Sequence, residues 1–494
     1  MGCGASKSPR ASEPTPVPNA RPAPDFLNAP LKKRSPDSSL GLVNRLFTSS
    51  YCVLEETSRG PGFICKKVQH ITSGLTFNAK FLSKKLLKGN FVNPAIMRRE
   101  LLTLKSLTHP NLVKILEFYD DEKYYIAVQE HCPGGPLFEK ISKKEQFSEA
   151  LVKTLMHQLF SAVRYCHERR VLHRDLSADT VLLAEEGSND VIKVTDFGSL
   201  SFFDANKRLS GRFGSVYYAA PEVFQGLYDE QCDMWSCGVI MHILLLGFPP
   251  FQGVTDEEVR RAVNEDLLNL YDAKYSGVSD TAKDLMHRLL IKDPIYRIRG
   301  TETLSHPWFQ SEAKPPDALR LQSVLSSMSH FRNICKLKDA VFNFICAHML
   351  SVQDYKELRQ IFESVDQNGD GTLSREEILG QLRSCLPAST LDHRLDEIFQ
   401  KVDSDHNGHI DYEEFIKATI DVAKVESKEV LRRTFQMFDK DSSGTISCDE
   451  LKLVLETAEL DEGVDWPALL KEADTNGDGV IDLMEFEALI QRKV

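Results

Sequence analysis

Four twelve-residue segments in the last third of the chain carry oxygen-bearing side chains at a spacing that suits a hard cation. The first places Asp366, Asn368, Asp370, Thr372, Ser374 and Glu377 at positions 1, 3, 5, 7, 9 and 12. The second places Asp403, Asp405, Asn407, His409, Asp411 and Glu414 there, and the third Asp439, Asp441, Ser443, Thr445, Ser447 and Glu450. The fourth has Asp474, Asn476, Asp478, Val480, Asp482 and Glu485. The residue type at position 7 is free, because that position offers its backbone carbonyl. Glycine at position 6 permits a sharp turn, and the last glutamate closes the shell with both oxygens. Calcium, which takes roughly six to eight oxygens, is the cation this set fits.

This is the EF-hand pattern. The segments begin at 366, 403, 439 and 474, in steps of 37, 36 and 35 residues, so they form a repeat. They are not equivalent. Ser443 and Ser447 leave the third loop with fewer carboxylates than the second and fourth, which carry Asp411 and Asp482 at position 9, and it is expected to bind calcium most weakly.

The elements that must position these loops belong to a chain of 494 residues, long enough for several domains. A hydrophobic content of 42% supports folded cores, and a formal charge of -12 argues against nucleic acid as a partner. The eleven cysteines include no C-x-x-C pair or zinc spacing and read as reduced thiols. No apolar run reaches membrane-spanning length. The longest, Val239 to Leu246, stops at Gly247-Phe248-Pro249-Pro250 and is expected to be a buried helix.

The first residues, Met1-Gly2-Cys3-Gly4-Ala5-Ser6, fit N-myristoylation at Gly2. One acyl chain holds a membrane weakly, so palmitoylation at Cys3 and the basic cluster Lys32-Lys33-Arg34 would supply a second signal. The expected location is the cytoplasmic face of a membrane, with a cytosolic pool. The alternative is a plain disordered leader. Residues 1–45 hold eight of the 22 prolines and read as a tether.

Residues 46–312 form the next domain: a sheet with one helix, then helical periodicity. Residues 313–350 follow as a basic amphipathic segment, in which Leu321, Val324, Leu325, Met328, Phe331 and Ile334 recur at helical steps among Arg332, Lys336 and Lys338. It reads as an intramolecular target for the calcium module at 351–494, or as a core helix of the domain beside it.

The middle domain resembles the protein-kinase family. The motifs are His173-Arg174-Asp175, Asp196-Phe197-Gly198, Ala220-Pro221-Glu222 and Asp233-Met234-Trp235, in that order. With the basic segment and four EF-hands behind them, the whole chain resembles the calcium-dependent protein kinases. The resemblance implies an α+β bilobed kinase fold followed by an all-α calmodulin-like domain. It implies ATP, Mg2+ and Ca2+ as cofactors and protein substrates of unknown identity. It implies that Lys80 holds the nucleotide's inner phosphates with Glu100 as its partner. Glu130 to Cys132 would present hinge backbone to adenine behind Gln129, Asp175 would accept the substrate proton, Asp196 would bind magnesium, and Glu222 would pair with Arg297.

Several family parts depart. The segment aligned with the glycine-rich loop is Ser58-Arg59-Gly60-Pro61-Gly62-Phe63-Ile64-Cys65, and Pro61 removes a backbone N–H from it. Ser177 stands where the family has a phosphate-steadying lysine, and Thr180 where it has an asparagine for the second magnesium. Pro136 replaces a glutamate that contacts ribose in many relatives. Two functions stay open: a calcium-activated serine/threonine kinase, or a calcium-sensing pseudokinase and scaffold. In the first, the 313–350 segment is autoinhibitory and covers the kinase domain at rest; in either, calcium is expected to open apolar grooves that take up Val324, Met328 and Phe331.

Overall fold

A computed structural model of the chain describes residues 42–43, 47–60, 63–71, 73–85, 103–142, 147–188, 190–196, 201–202, 216–310, 328, 336–348, 352–385, 391–420, 425, 427–441, 443–455 and 465–491. Gly2, Cys3, Glu100, Val324 and Phe331 lie outside the described residues, as does Phe197-Gly198. Residues 41–494 form one compact unit.

The small lobe is a six-stranded sheet built from β1 (Leu42–Val43), β2 (Tyr51–Gly60), β3 (Phe63–His70), β4 (Thr76–Ser83), β5 (Ile115–Asp120) and β6 (Tyr124–Gln129). Its spatial order is β1-β5-β6-β4-β3-β2. Strand periodicity decides what each face carries. Phe77, Ala79 and Phe81 of β4 join Val68, Ile126 and Val128 in the lobe's core. Lys80, one residue out of phase, therefore points to the other face. It is paired with Cys65 on β3 and Ala127 on β6. Phe63, two residues before Cys65, shares that face.

The large lobe is helical. Glu149–Glu168 starts where the Ser148 hydroxyl accepts from the Leu151 N–H, a side-chain cap. Gln231–Leu246 contains the apolar run noted in the sequence and is buried along most of its length, ending at Gly247 with φ of 81°. Trp235 and Trp308 anchor this core. The buried Arg297 guanidinium grips Glu222 bidentately, at 2.5 and 3.0 Å, and also donates to the carbonyls of Ile291 and Gln231.

The calcium module is helical, with its loops tied in pairs by short strands. Thr372–Leu373 pairs with Ile410–Asp411, and Thr445–Ile446 with Ile481–Asp482. Leu373, Ile410, Ile446 and Ile481 are all buried at these joins. The helix Lys336–His348 lies within this module's core through Leu337, Val341, Phe342, Phe344 and Ile345, and Met328 is buried in the same cluster. Each of those larger side chains contributes about 1.5–3 kcal/mol of gross burial. Of the basic segment's two readings from sequence, the described part is packed against the EF-hands. Phe344 meets Phe438 edge-on at 5.0 Å, and the Leu337 N–H donates to Glu472.

The first loop is seated on the large lobe. Arg164, on the helix Glu149–Glu168, donates to the Asn368 carbonyl. Gly371 has φ of +77°, and a Cβ there would come within 2.4 Å of His109 and 2.9 Å of Tyr165. Lys114 pairs with Glu413 on the helix Tyr412–Thr419, which closes the second loop.

Candidate functional site

The cleft between the lobes draws its groups from separate elements. From β4, the Lys80 ammonium meets the Asp196 carboxylate at 2.8 Å. Asp196 follows the strand Ile192–Val194 and has φ of 65°, a left-handed conformation that costs a non-glycine residue energy. Arg174 shares this feature with φ of 68°. Such outliers persist only where the surroundings over-determine them.

The surroundings here are visible. Asp233 is fully buried at the start of its helix and accepts from the backbone N–H groups of His173 and Arg174, each at 2.9 Å, and from His167 at 2.8 Å. Burial alone would raise its pKa, but His167 and His173 outweigh it and hold the carboxyl below its ordinary range. His173 bridges to the Thr195 carbonyl at 2.8 Å, joining the catalytic loop to the segment that carries Asp196. Asp175 stands on this scaffold. Burial pushes its carboxyl upward, opposed by His173 and reinforced by Asp196.

The replaced residues are well ordered but differently employed. Thr180 is buried, and its hydroxyl accepts from the Ser177 N–H at 2.9 Å and faces the carbonyls of Ser177 and Asp175 at 3.1 and 3.3 Å. It braces the loop from within, so its oxygen does not suit a second magnesium. Ser177 is also buried and brings no cation to the cleft. One metal at Asp196 fits the residues present; a second does not.

The hinge carries a charge cluster that sequence reading missed. The Glu130 carboxylate accepts from the Lys114 backbone N–H at 2.7 Å and from Lys193 at 2.9 Å. Cys132 is buried, which pushes its thiol far up, and its carbonyl accepts from the Gly135 N–H. Gln129 is buried behind it. Asp233, His167, Lys114 and Phe63 also had no role assigned from sequence. The Phe63 ring lies over the Lys80 ammonium at 4.2 Å.

In the calcium loops the ligands converge through local turns. Asp403, Asp405 and Glu414 bring carboxylate oxygens within 4.8 Å of one another, as do Asp439, Asp441 and Glu450. The first and fourth loops have asparagine at position 3 (Asn368, Asn476). All four position-6 glycines have φ between 77° and 86°. Each closing glutamate accepts from backbone N–H groups at the loop's two ends, as Glu377 does from Asn368 and Ser374. Burial raises the carboxyls of Asp366 and Glu414 to about 8, and neighbouring carboxylates (Asp370 and Asp411, respectively) add to it. A divalent cation is the partner such crowded acids suit. The residues fit calcium.

The model of the protein kinase domain matches residues 54–309, and that of the EF-hand domain pair matches residues 355–420 and 428–491. Calcium-dependent protein kinase 4 of Plasmodium falciparum is 34% identical over 433 residues, covering 85% of this chain and 82% of its own length. The chain belongs to the calcium-dependent protein kinase family. Calcium-dependent protein kinase 19 of Oryza sativa subsp. japonica is 34% identical over 99% of this chain and 92% of its own length. Calcium-dependent protein kinase 33 of Arabidopsis thaliana is 34% identical over 89% and 84%. The bilobed kinase fold followed by an all-α EF-hand domain, expected from the motifs, is the one found. As a member of this kinase family, the chain pairs an ATP-using type of domain with calcium-binding EF-hands.

Proposed function

We infer that this calcium-dependent protein kinase family member is a calcium-regulated serine/threonine kinase working with a reduced cleft. The observation that carries the reading is the Lys80–Asp196 contact at 2.8 Å, in the cleft above the Asp175 loop. Lys80 would hold the inner phosphates of ATP and Asp196 one magnesium ion, and ATP so held would supply the phosphoryl group and leave as ADP. Asp175, aimed by the Asp233 scaffold, accepts the proton of the substrate hydroxyl at its carboxylate. Glu130 to Cys132 offer hinge backbone to the adenine. Without a cation at Ser177, and with Thr180 turned inward, charge on the transferring group is less well neutralised. Each such loss costs on the order of 10²-fold in rate.

The switch is calcium at the position-1 to position-12 ligands of the four loops. The helix Lys336–His348, held in the core of the EF-hand module, ties ion capture to the segment leading back to the kinase domain. Acylation at Gly2 and Cys3 would place the molecule on the cytoplasmic face of a membrane. Among the described residues, no helix is long and apolar enough to cross one.

The inward-turned Thr180 hydroxyl favours a second reading, a calcium-sensing scaffold that moves no phosphate. Purified full-length chain with ATP, magnesium and a peptide mixture separates the two. Calcium-stimulated phosphate transfer that vanishes in Asp175→Ala supports the kinase; no transfer from the parent chain, with or without calcium, leaves the scaffold.

A further inference from the structure

We propose that Phe63 is a built-in cover for the phosphate position of the cleft, and that it sets how tightly this chain holds a nucleotide. The inference rests on the reading of Lys80 as a phosphate-binding group. Three observations carry it. Strand register puts Phe63 on the same face as Cys65, whose partner across the sheet is Lys80. The ring centroid stands 4.2 Å from the ammonium, the geometry of a cation–π contact. The Asp196 carboxylate contacts the same ammonium at 2.8 Å, and the Lys80 side chain keeps only 8% of its surface exposed.

These contacts leave little of the ammonium open. A phosphate oxygen must come to about 2.8 Å from the lysine nitrogen, with the rest of the group behind it. The ring fills that approach, so ring and phosphate exclude each other along it. The strand ends on either side are fitted to the ring. Gly60 pairs with Phe63 across the hairpin, and a Cβ on Gly60 would come within 2.3 Å of the ring. The glycine retained in this segment is thus the seat of the ring. A nucleotide must lift Phe63 away and replace the contact it makes. A contact of this kind, mostly withdrawn from water, corresponds to about tenfold in an equilibrium.

The test uses the full chain and two readouts: the affinity for ATP, with and without magnesium, and the rate at which a small amine-acylating reagent modifies Lys80, read by peptide mass. In F63G both should rise about tenfold. F63L keeps most of the bulk and loses the aromatic face, so it should fall between F63G and the parent; it also serves if F63G does not melt cooperatively. Unchanged Lys80 modification in both variants overturns the cover, as does weaker ATP binding in F63G, which would make the ring part of the nucleotide site. Faster modification with no ATP binding in any variant upholds the cover and overturns the nucleotide reading instead.

Discussion

The EF-hand loops and the kinase cleft are both built to place negative charge around metal, yet they have kept their chemistry to different degrees. Every calcium loop holds its ligands within twelve consecutive residues, and each glutamate at position 12 closes onto its own loop. The cleft needs Lys80 from a strand, Asp175 from one loop and Asp196 from another, and it is here that the departures gather: Pro61, Pro136, Ser177 and Thr180. A local site is specified by its own turn. An assembled site has many separate parts, and replacing one leaves the others in place while changing what they do. The Asp233 scaffold still holds the catalytic loop and Arg297–Glu222 the large-lobe frame, although Ser177 and Thr180 stand where the family has a lysine and an asparagine.

The sharpest way to break this contrast is through the cleft. Asp175→Ala should reduce calcium-stimulated phosphate transfer by about 10²–10⁴-fold while leaving calcium binding unchanged. A transfer assay beside a calcium titration measures both, and equal transfer by variant and parent would remove Asp175 from the mechanism.

Next in size is the large-lobe frame. Glu222→Gln strands the buried Arg297 charge and should cost about 3–5 kcal/mol of kinase-domain stability, read by chemical denaturation. A loss below about 1 kcal/mol would mean that the guanidinium's carbonyl partners suffice.

Restoring the missing groups sharpens the contrast from the other side. Ser177→Lys with Thr180→Asn should raise the rate by at least on the order of 10²-fold, the worth of one restored group, if charge neutralisation is what the cleft lacks. Because both positions are buried, melting curves must accompany the kinetics; a folded double variant with no gain points to the phosphate loop as the limit.

Among the calcium loops the expected differences are smaller. Position-12 Glu→Gln changes at Glu377, Glu414, Glu450 and Glu485 should each weaken one site by roughly tenfold, with the third loop starting weakest. Tightest binding at the loop beginning at Asp439 would refute that order.

The smallest effect expected is in acid. The folded pKa of Asp233 lies below its ordinary value of 3.8, so the stability it contributes is present above that value and is lost as pH falls through the folded one. Asp233→Asn should flatten the stability profile below about pH 4. An unchanged acid limb would assign that loss to other carboxylates.

Much of this was legible in the chain itself. The calcium loops could be read residue by residue, because ligand spacing and turn geometry are local. The kinase motifs were legible as an ordered series, and the run at Val239 was recognisable as a buried helix. The Phe63 contact had half a signal: period-two alternation puts it on the face of Cys65, but the sheet register alone pairs Cys65 with Lys80. Nothing local marked His167, which reaches Asp233 from a different helix, or the Lys114 and Lys193 contacts to Glu130. The bracing role of Thr180 was also hidden, since a hydroxyl's type does not say which way it turns.

What the amino-acid order determined by itself was the set of sites complete within one turn of chain: the four calcium loops with their position-6 glycines, and the Gly247 stop of the buried run. Only the tertiary structure decided which partner each lone charge received. Lys80 meets Asp196 across 116 residues, and Arg164 reaches the Asn368 carbonyl across 204. Dihedral preferences and side-chain spacing act over a few residues, whereas burial brings distant groups together, and it is burial that fixes the company a charge must keep.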